Sequence, residues 1–191
     1  CRTLPLCRAF TFAGNATSQR QFVHFKTGTT GDLGNGNVSW SSYLLAPPPV
    51  RFNDVSLPGL GALRGLACSK YSMWLGVRFA EPLNRTTRWR APVAKRPWAG
   101  VAPALSSGPA CPSLAQTDRP TDEDCLTLDI YAPSRPSSTP SLPVLVWIYG
   151  GSFTSGSTAE QRYNGTYAVS ELPLLVITLN YRLGVFGFLG G

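Results

Sequence analysis

The apolar residues of this chain fall into short runs closed by turn formers. Pro143 to Tyr149 is almost wholly apolar and ends in Gly150-Gly151-Ser152; Leu174 to Leu179 is a second such run, ending in Asn180-Tyr181-Arg182. Runs of this kind predict strands buried on both faces, the habit of a parallel sheet. Twenty-four residues separate the two runs, and a parallel crossover needs about a dozen or more, so the spacing allows one. Cys125 to Tyr131 alternates instead, with Leu126, Leu128 and Ile130 on one side and Thr127, Asp129 and Tyr131 on the other. That pattern predicts a half-buried strand.

Upstream, Gly59 to Gly65 and Ser72 to Val77 read as short strands around a turn, a small sheet ahead of the main one. Thr27 to Asn37 (Gly/Thr/Asn-rich) and Ala132 to Leu142 (Ser/Pro-rich) read as loops, and Pro47-Pro48-Pro49 as a stiff spacer. Residues 1–54 carry little periodicity and read as an N-terminal extension; residues 55–191 read as the domain. No internal repeat is visible.

With 191 residues and 43% apolar content, the chain has room for one domain with a real core. No run of about 18 apolar residues occurs, so no membrane-spanning helix is expected. The net charge of +7 reads first as a solubility feature, with nucleic-acid or anionic-surface binding as the sharper alternative. Arg85 to Arg96 concentrates that charge: Arg85, Arg88, Arg90, Lys95 and Arg96 without an acid, with Trp89 and Trp98 interleaved. Basic and aromatic residues interleave in the same way in single-strand nucleic-acid grooves. The lone histidine, His24, lies in a weakly patterned segment and reads as a surface or packing residue. The sequence holds no phosphate loop, CxxC pair or metal-ligand cluster, so neither cofactor nor metal is expected.

Four acceptor patterns for N-glycosylation, at Asn15, Asn37, Asn84 and Asn164, point to the secretory pathway. Five cysteines agree with an oxidising compartment. Cys111 and Cys125 bracket a short polar loop. A Cys1–Cys7 bond would leave Cys68 odd; the alternative is that these three are buried or unpaired thiols. The chain starts at Cys1 and shows no charged-then-apolar leader, as a removed signal peptide or a truncated gene model would each leave it.

The wording WIYGGSF, YNGTY, NYRLG and GFL, preceded by Glu123-Asp124-Cys125-Leu126 and Phe79-Ala80-Glu81-Pro82 in that order, resembles the type-B carboxylesterase/lipase family. That family includes cholinesterases and fungal lipases, and the fungal secreted branch looks most similar. The resemblance covers roughly Val55 to Gly191. It implies the N-terminal portion of an α/β-hydrolase: a small β-sheet, then the first strands of a central, mostly parallel sheet. It further implies a Cys111–Cys125 disulfide, whose loop closure contributes about 3 kcal/mol. Arg88 falls where the family places an arginine that pairs with the glutamate matching Glu123, a two-bond fork bracing the cysteine loop. The basic segment is then structural, and no nucleic-acid partner is expected. Two family prolines are replaced, by Arg78 and Leu83. Pro112 to Asp124 has no aromatic residue, where cholinesterases carry the tryptophan that holds a quaternary ammonium. Choline-ester specialisation is therefore not expected.

Serine esterases pass through a tetrahedral oxyanion, which preorganised N–H donors stabilise by about 3 kcal/mol each. The resemblance assigns that role to the turn after the first apolar run, with Gly151 and Ser152 as N–H donors and Gly150 shaping the turn. Tyr149 replaces the commoner histidine and Ser152 the usual third glycine. Asn180, Tyr181 and Arg182 read as structural ties at a strand end. No Gly-x-Ser-x-Gly elbow occurs in the 191 residues; Ser152, Ser155 and Ser157 sit in none. In the family the serine, acid and histidine lie further along, so this chain is expected to hold half an oxyanion hole, no catalytic triad and no activity of its own. The implied protein is a secreted ester hydrolase acting on a small-molecule or lipid ester. The alternatives are an esterase-like adhesion module without catalysis, or a truncated product without function.

Overall fold

A computed structural model of the chain describes residues 22–26, 40–44, 50–114, 119–134 and 141–189. These fall into two units, 1–49 and 50–191. In the first, β1 (Phe22–Lys26) and β2 (Trp40–Leu44) pair antiparallel, with His24 opposite Ser42. The weak periodicity there did not signal this pair. The loop at 27–37, the Pro47-Pro48-Pro49 spacer, Cys1, Cys7, Asn15 and Asn37 lie outside the described residues.

The second unit is built on one sheet. Its strands are β3 (Arg51–Leu57), β4 (Gly61–Ala67), β5 (Tyr71–Arg78), β6 (Val101–Pro103), β7 (Thr127–Pro133), β8 (Val144–Trp147) and β9 (Leu175–Leu179). The order is β3-β4-β5-β7-β9-β8, with β6 beside β4. Two short helices follow the later strands, α1 (Thr166–Glu171) and α2 (Gly184–Phe188). The sequence boundary at 54 falls inside β3. The division comes earlier, at Pro49, because β3 pairs with β4 from Arg51 opposite Ala67 to Leu57 opposite Gly61.

The expected α/β-hydrolase portion holds, with two adjustments. The early strands are no separate sheet: β5 pairs with both β4 and β7, which joins them to the later strands. The sheet is mixed: among the described strands β8–β9 and β4–β6 pair parallel. The β8–β9 pair is the parallel unit that the two apolar runs predicted, with Val144 opposite Leu175 and Trp147 opposite Thr178. Its crossover carries the Gly150–Gly151 turn, a 3-10 turn (Gln161–Tyr163) and α1.

Burial departs from the sequence reading in two places. Strand β9 buries Val176 and Thr178, but β8 is exposed on both faces, from 43% at Trp147 to 53% at Val144. Among the described residues β8 pairs with β9 alone, and few of them lie over its faces, so its apolar content is left uncovered. In β7 the alternation is as read, yet the polar side is the deeper one. Thr127, Asp129 and Tyr131 are buried, while Leu128 and Ile130 are half-buried against Leu63, Trp74, Val77 and Ala104. On the other face Tyr131 packs with Val169 of α1 and Val176. Both sides of β7 are therefore covered. Asp129 tolerates burial because it accepts the Gly76 amide (2.7 Å) and the Ser107 hydroxyl (2.6 Å), which satisfies a carboxylate that would otherwise be costly to bury. Burial still pushes its pKa up, against the lowering effect of those two bonds.

Candidate active site

Strand β8 ends at a turn whose geometry is set by carbonyl traffic. The Gly151 carbonyl accepts the amides of Thr154 (3.0 Å) and Ser155 (3.1 Å) and both their hydroxyls (3.2 Å each). This winds Ser152 and Phe153 into left-handed backbones, with φ of 52° and 61°, an uncommon state for residues carrying a Cβ. Gly151 has φ of 135°, and a Cβ there would run into the Ser155 carbonyl. The demand for glycine therefore rests on Gly151. Gly150, expected to shape the turn, has an ordinary backbone and open space around it.

Among the described residues, the amides of Gly150, Gly151 and Ser152 donate to no acceptor. Gly150 and Ser152 are exposed and Gly151 is half-buried. Adjacent N–H groups left free on an exposed turn form an anion-binding concavity. Of the three serines, Ser157 is buried and its hydroxyl accepts the Ala159 amide, while Ser155 is tied to Gly151.

The floor of the turn is fixed by aromatic stacking. Tyr149 is buried and stacks on Tyr181 with ring centroids 4.6 Å apart. The Tyr181 hydroxyl donates to the Tyr149 carbonyl at 2.8 Å. Burial pushes the Tyr149 phenol up to about 12, so it stays a neutral packing group. Asn180 is buried, accepting the Thr158 amide and donating to the Pro109 carbonyl, both at 3.0 Å. Arg182 donates to the Arg90 carbonyl at 2.9 Å. All three residues after β9 thus act as ties.

Below the turn, Cys111 and Cys125 form a disulfide with Cα atoms 5.0 Å apart. Cys68 is also disulfide-bonded, so it is not the odd thiol that a Cys1–Cys7 bond would leave. Arg88 grips Glu123 with two donors, Nε at 2.7 Å and Nη2 on the other oxygen. That bond holds the Glu123 carboxyl below its usual range. Sequence reasoning missed the adjacent pair. Arg78 and Asp124 meet in a fork with both arms at 2.6 Å, and Asp124 also accepts the Leu83 amide at 3.2 Å. The two positions that depart from the family's prolines thus supply partners to one carboxylate. A proline at 83 would have no N–H to give. Among the described residues no three His, Cys, Asp or Glu side chains gather as a metal site, and no helix is long and apolar enough to cross a membrane.

The mixed sheet with its parallel β8–β9 pair and crossover fits the N-terminal portion of an α/β-hydrolase. Comparison with known proteins agrees. The model of the carboxylesterase family matches residues 52–191. The chain is 38% identical over 136 residues to para-nitrobenzyl esterase of Bacillus subtilis (strain 168), covering 68% of this chain and 27% of that protein. It is 38% identical over 148 residues to acetylcholinesterase of Bungarus fasciatus, covering 68% and 24%. A solved PNB esterase superposes with a TM-score of 0.66 at 36% identity, over 72% of this chain and 28% of that one. This chain belongs to the carboxylesterase family. It spans about a quarter of the length of these relatives.

Proposed function

We propose that the protein to which this chain belongs hydrolyses carboxylic esters through a serine acyl-enzyme, and that Gly151 and Ser152 supply two of its oxyanion donors. The observation that carries the reading is the pair of adjacent amides without acceptors on an exposed turn, within a chain of the carboxylesterase family. A serine, an acid and a histidine encoded beyond Gly191 would complete the reaction. The 191 residues alone are expected to leave esters untouched.

The test is an ester-hydrolysis assay on the longer gene product. Wild type should turn over para-nitrophenyl esters. Gly151→Ala, whose Cβ meets the Ser155 carbonyl and pushes the retained amide out of line, should lose up to about a hundredfold in kcat, the scale of one oxyanion donor. A downstream elbow with glycine or alanine in place of serine would instead select the adhesion-module reading.

The substrate is proposed to be a small-molecule or lipid ester other than a choline ester, because the sequence from Pro112 to Asp124 offers no aromatic ring for a quaternary ammonium. Secretion and the affinity to the fungal branch remain part of the same proposal. Asn84 and Asn164 are exposed, as glycan acceptors must be. The Asn84 side-chain oxygen accepts the Thr86 amide (2.9 Å) and hydroxyl (2.6 Å), which bends that sequon into a tight surface turn. A mobility shift on endoglycosidase treatment, lost stepwise in Asn84→Gln and Asn164→Gln, is the expected result; no shift in secreted material would end this part.

A further inference from the structure

We propose that Trp89 is a positioning residue for the oxyanion turn and acts through α2. The inference rests on the assignment of Gly151 and Ser152 above and deepens it. It also gives a role to Trp89, the aromatic residue inside the basic segment.

The bonds to the Gly151 carbonyl are not the turn's sole fastening among the described residues. Phe153 sits in a left-handed backbone, and two groups of α2 secure it. The Gly184 amide donates to the Phe153 carbonyl at 2.7 Å. The Phe188 ring lies 4.9 Å from the Phe153 ring, centroid to centroid. Because Phe153 directly follows Ser152, fixing its backbone fixes where the preceding amides aim.

Helix α2 in turn needs fastening. It has five residues, far below the length at which a helix is stable by itself. Leu183, fully buried, anchors its start. Its middle is held from the Arg85–Trp89 turn: the Trp89 indole N–H donates to the Val185 carbonyl at 2.9 Å, and the Arg88 guanidinium lies 5.2 Å from the centre of the Phe186 ring. Arg88 is itself fixed by Glu123 next to the Cys111–Cys125 bond. Trp89 has φ of 62° and is 56% exposed. The ring is therefore held by its bond to α2 rather than by burial. A continuous line of contacts therefore runs from the disulfide loop through Arg88, Trp89 and α2 to Phe153.

Amide exchange by NMR on the 191-residue chain tests this without any need for turnover. Trp89→Phe keeps a ring beside Arg88 and removes the N–H donor. The Thr154 and Ser155 amides, which close on the Gly151 carbonyl, should exchange about tenfold faster, with β7 and β9 amides unchanged. Trp89→Gly accepts the positive φ without strain and should give the same rise if Trp89→Phe does not fold. Unchanged exchange at Thr154 and Ser155 in the folded variant would overturn the proposal. In the longer gene product, Trp89→Phe should lower kcat about tenfold with KM within about twofold; an equal loss in KM alone would also overturn it. The oxyanion assignment fails separately, through undiminished kcat in Gly151→Ala, and that failure would leave the exchange result standing.

Discussion

Arg78 and Asp124 meet in a two-bond fork, 2.6 Å on each arm, directly beside the Cys111–Cys125 disulfide. Neither residue is fully buried; their side chains are 37% and 25% exposed. Solvent therefore screens part of the attraction. Arg78→Met should still destabilise the chain by about 1 kcal/mol, between the values for exposed pairs and for charge-assisted bonds, measured by urea unfolding.

The same pair gives a pH dependence. Hydrogen bonding to Arg78 holds the Asp124 carboxyl below its usual range. A carboxyl with a lowered folded pKa adds stability above its unfolded value, near 3.9, and loses it as pH falls through the folded one. Unfolding free energy should therefore drop on acidification below about pH 4, and Asp124→Asn should flatten that drop.

Asp129 has the opposite sign. Burial raises its pKa, so its contribution is greatest below the unfolded value and declines as pH rises through the folded value. Asp129→Asn should abolish that decline. Asp129→Ala should cost about 3 kcal/mol, because the Gly76 amide and Ser107 hydroxyl both lose their acceptor.

The two glycines of the turn should respond differently. Gly151→Ala forces a Cβ against the Ser155 carbonyl at a φ of 135° and should destabilise by about 2 kcal/mol. Gly150→Ala meets open space and should change stability by less than about 0.5 kcal/mol. Chemical denaturation of both variants side by side measures the difference.

Removing the disulfide with Cys111→Ser and Cys125→Ser together opens a loop of sequence separation 14. The expected loss is about 3 kcal/mol from the released chain entropy, seen as a lower Tm. A Tm unchanged within a degree would show that the Arg88–Glu123 and Arg78–Asp124 pairs hold the loop without it.

Much of this was written in the chain. The apolar runs at Pro143–Tyr149 and Leu174–Leu179 located β8 and β9, because a short apolar run closed by turn formers is a local signal of extended backbone. The spelling around Gly150, Cys125 and Arg88 carried the family, since those residues meet demands of backbone and charge that few others satisfy. What the sequence could not decide was exposure and partnership. Strand β8 reads as core yet is left uncovered among the described residues, because burial depends on what packs over a strand's faces. Asp129 reads as the wet side of β7 yet is buried, because Gly76 and Ser107 arrive from distant positions to receive it. Arg78 finds Asp124 and Trp89 finds Val185 across 46 and 96 residues; only the folded chain brings such groups within hydrogen-bond reach.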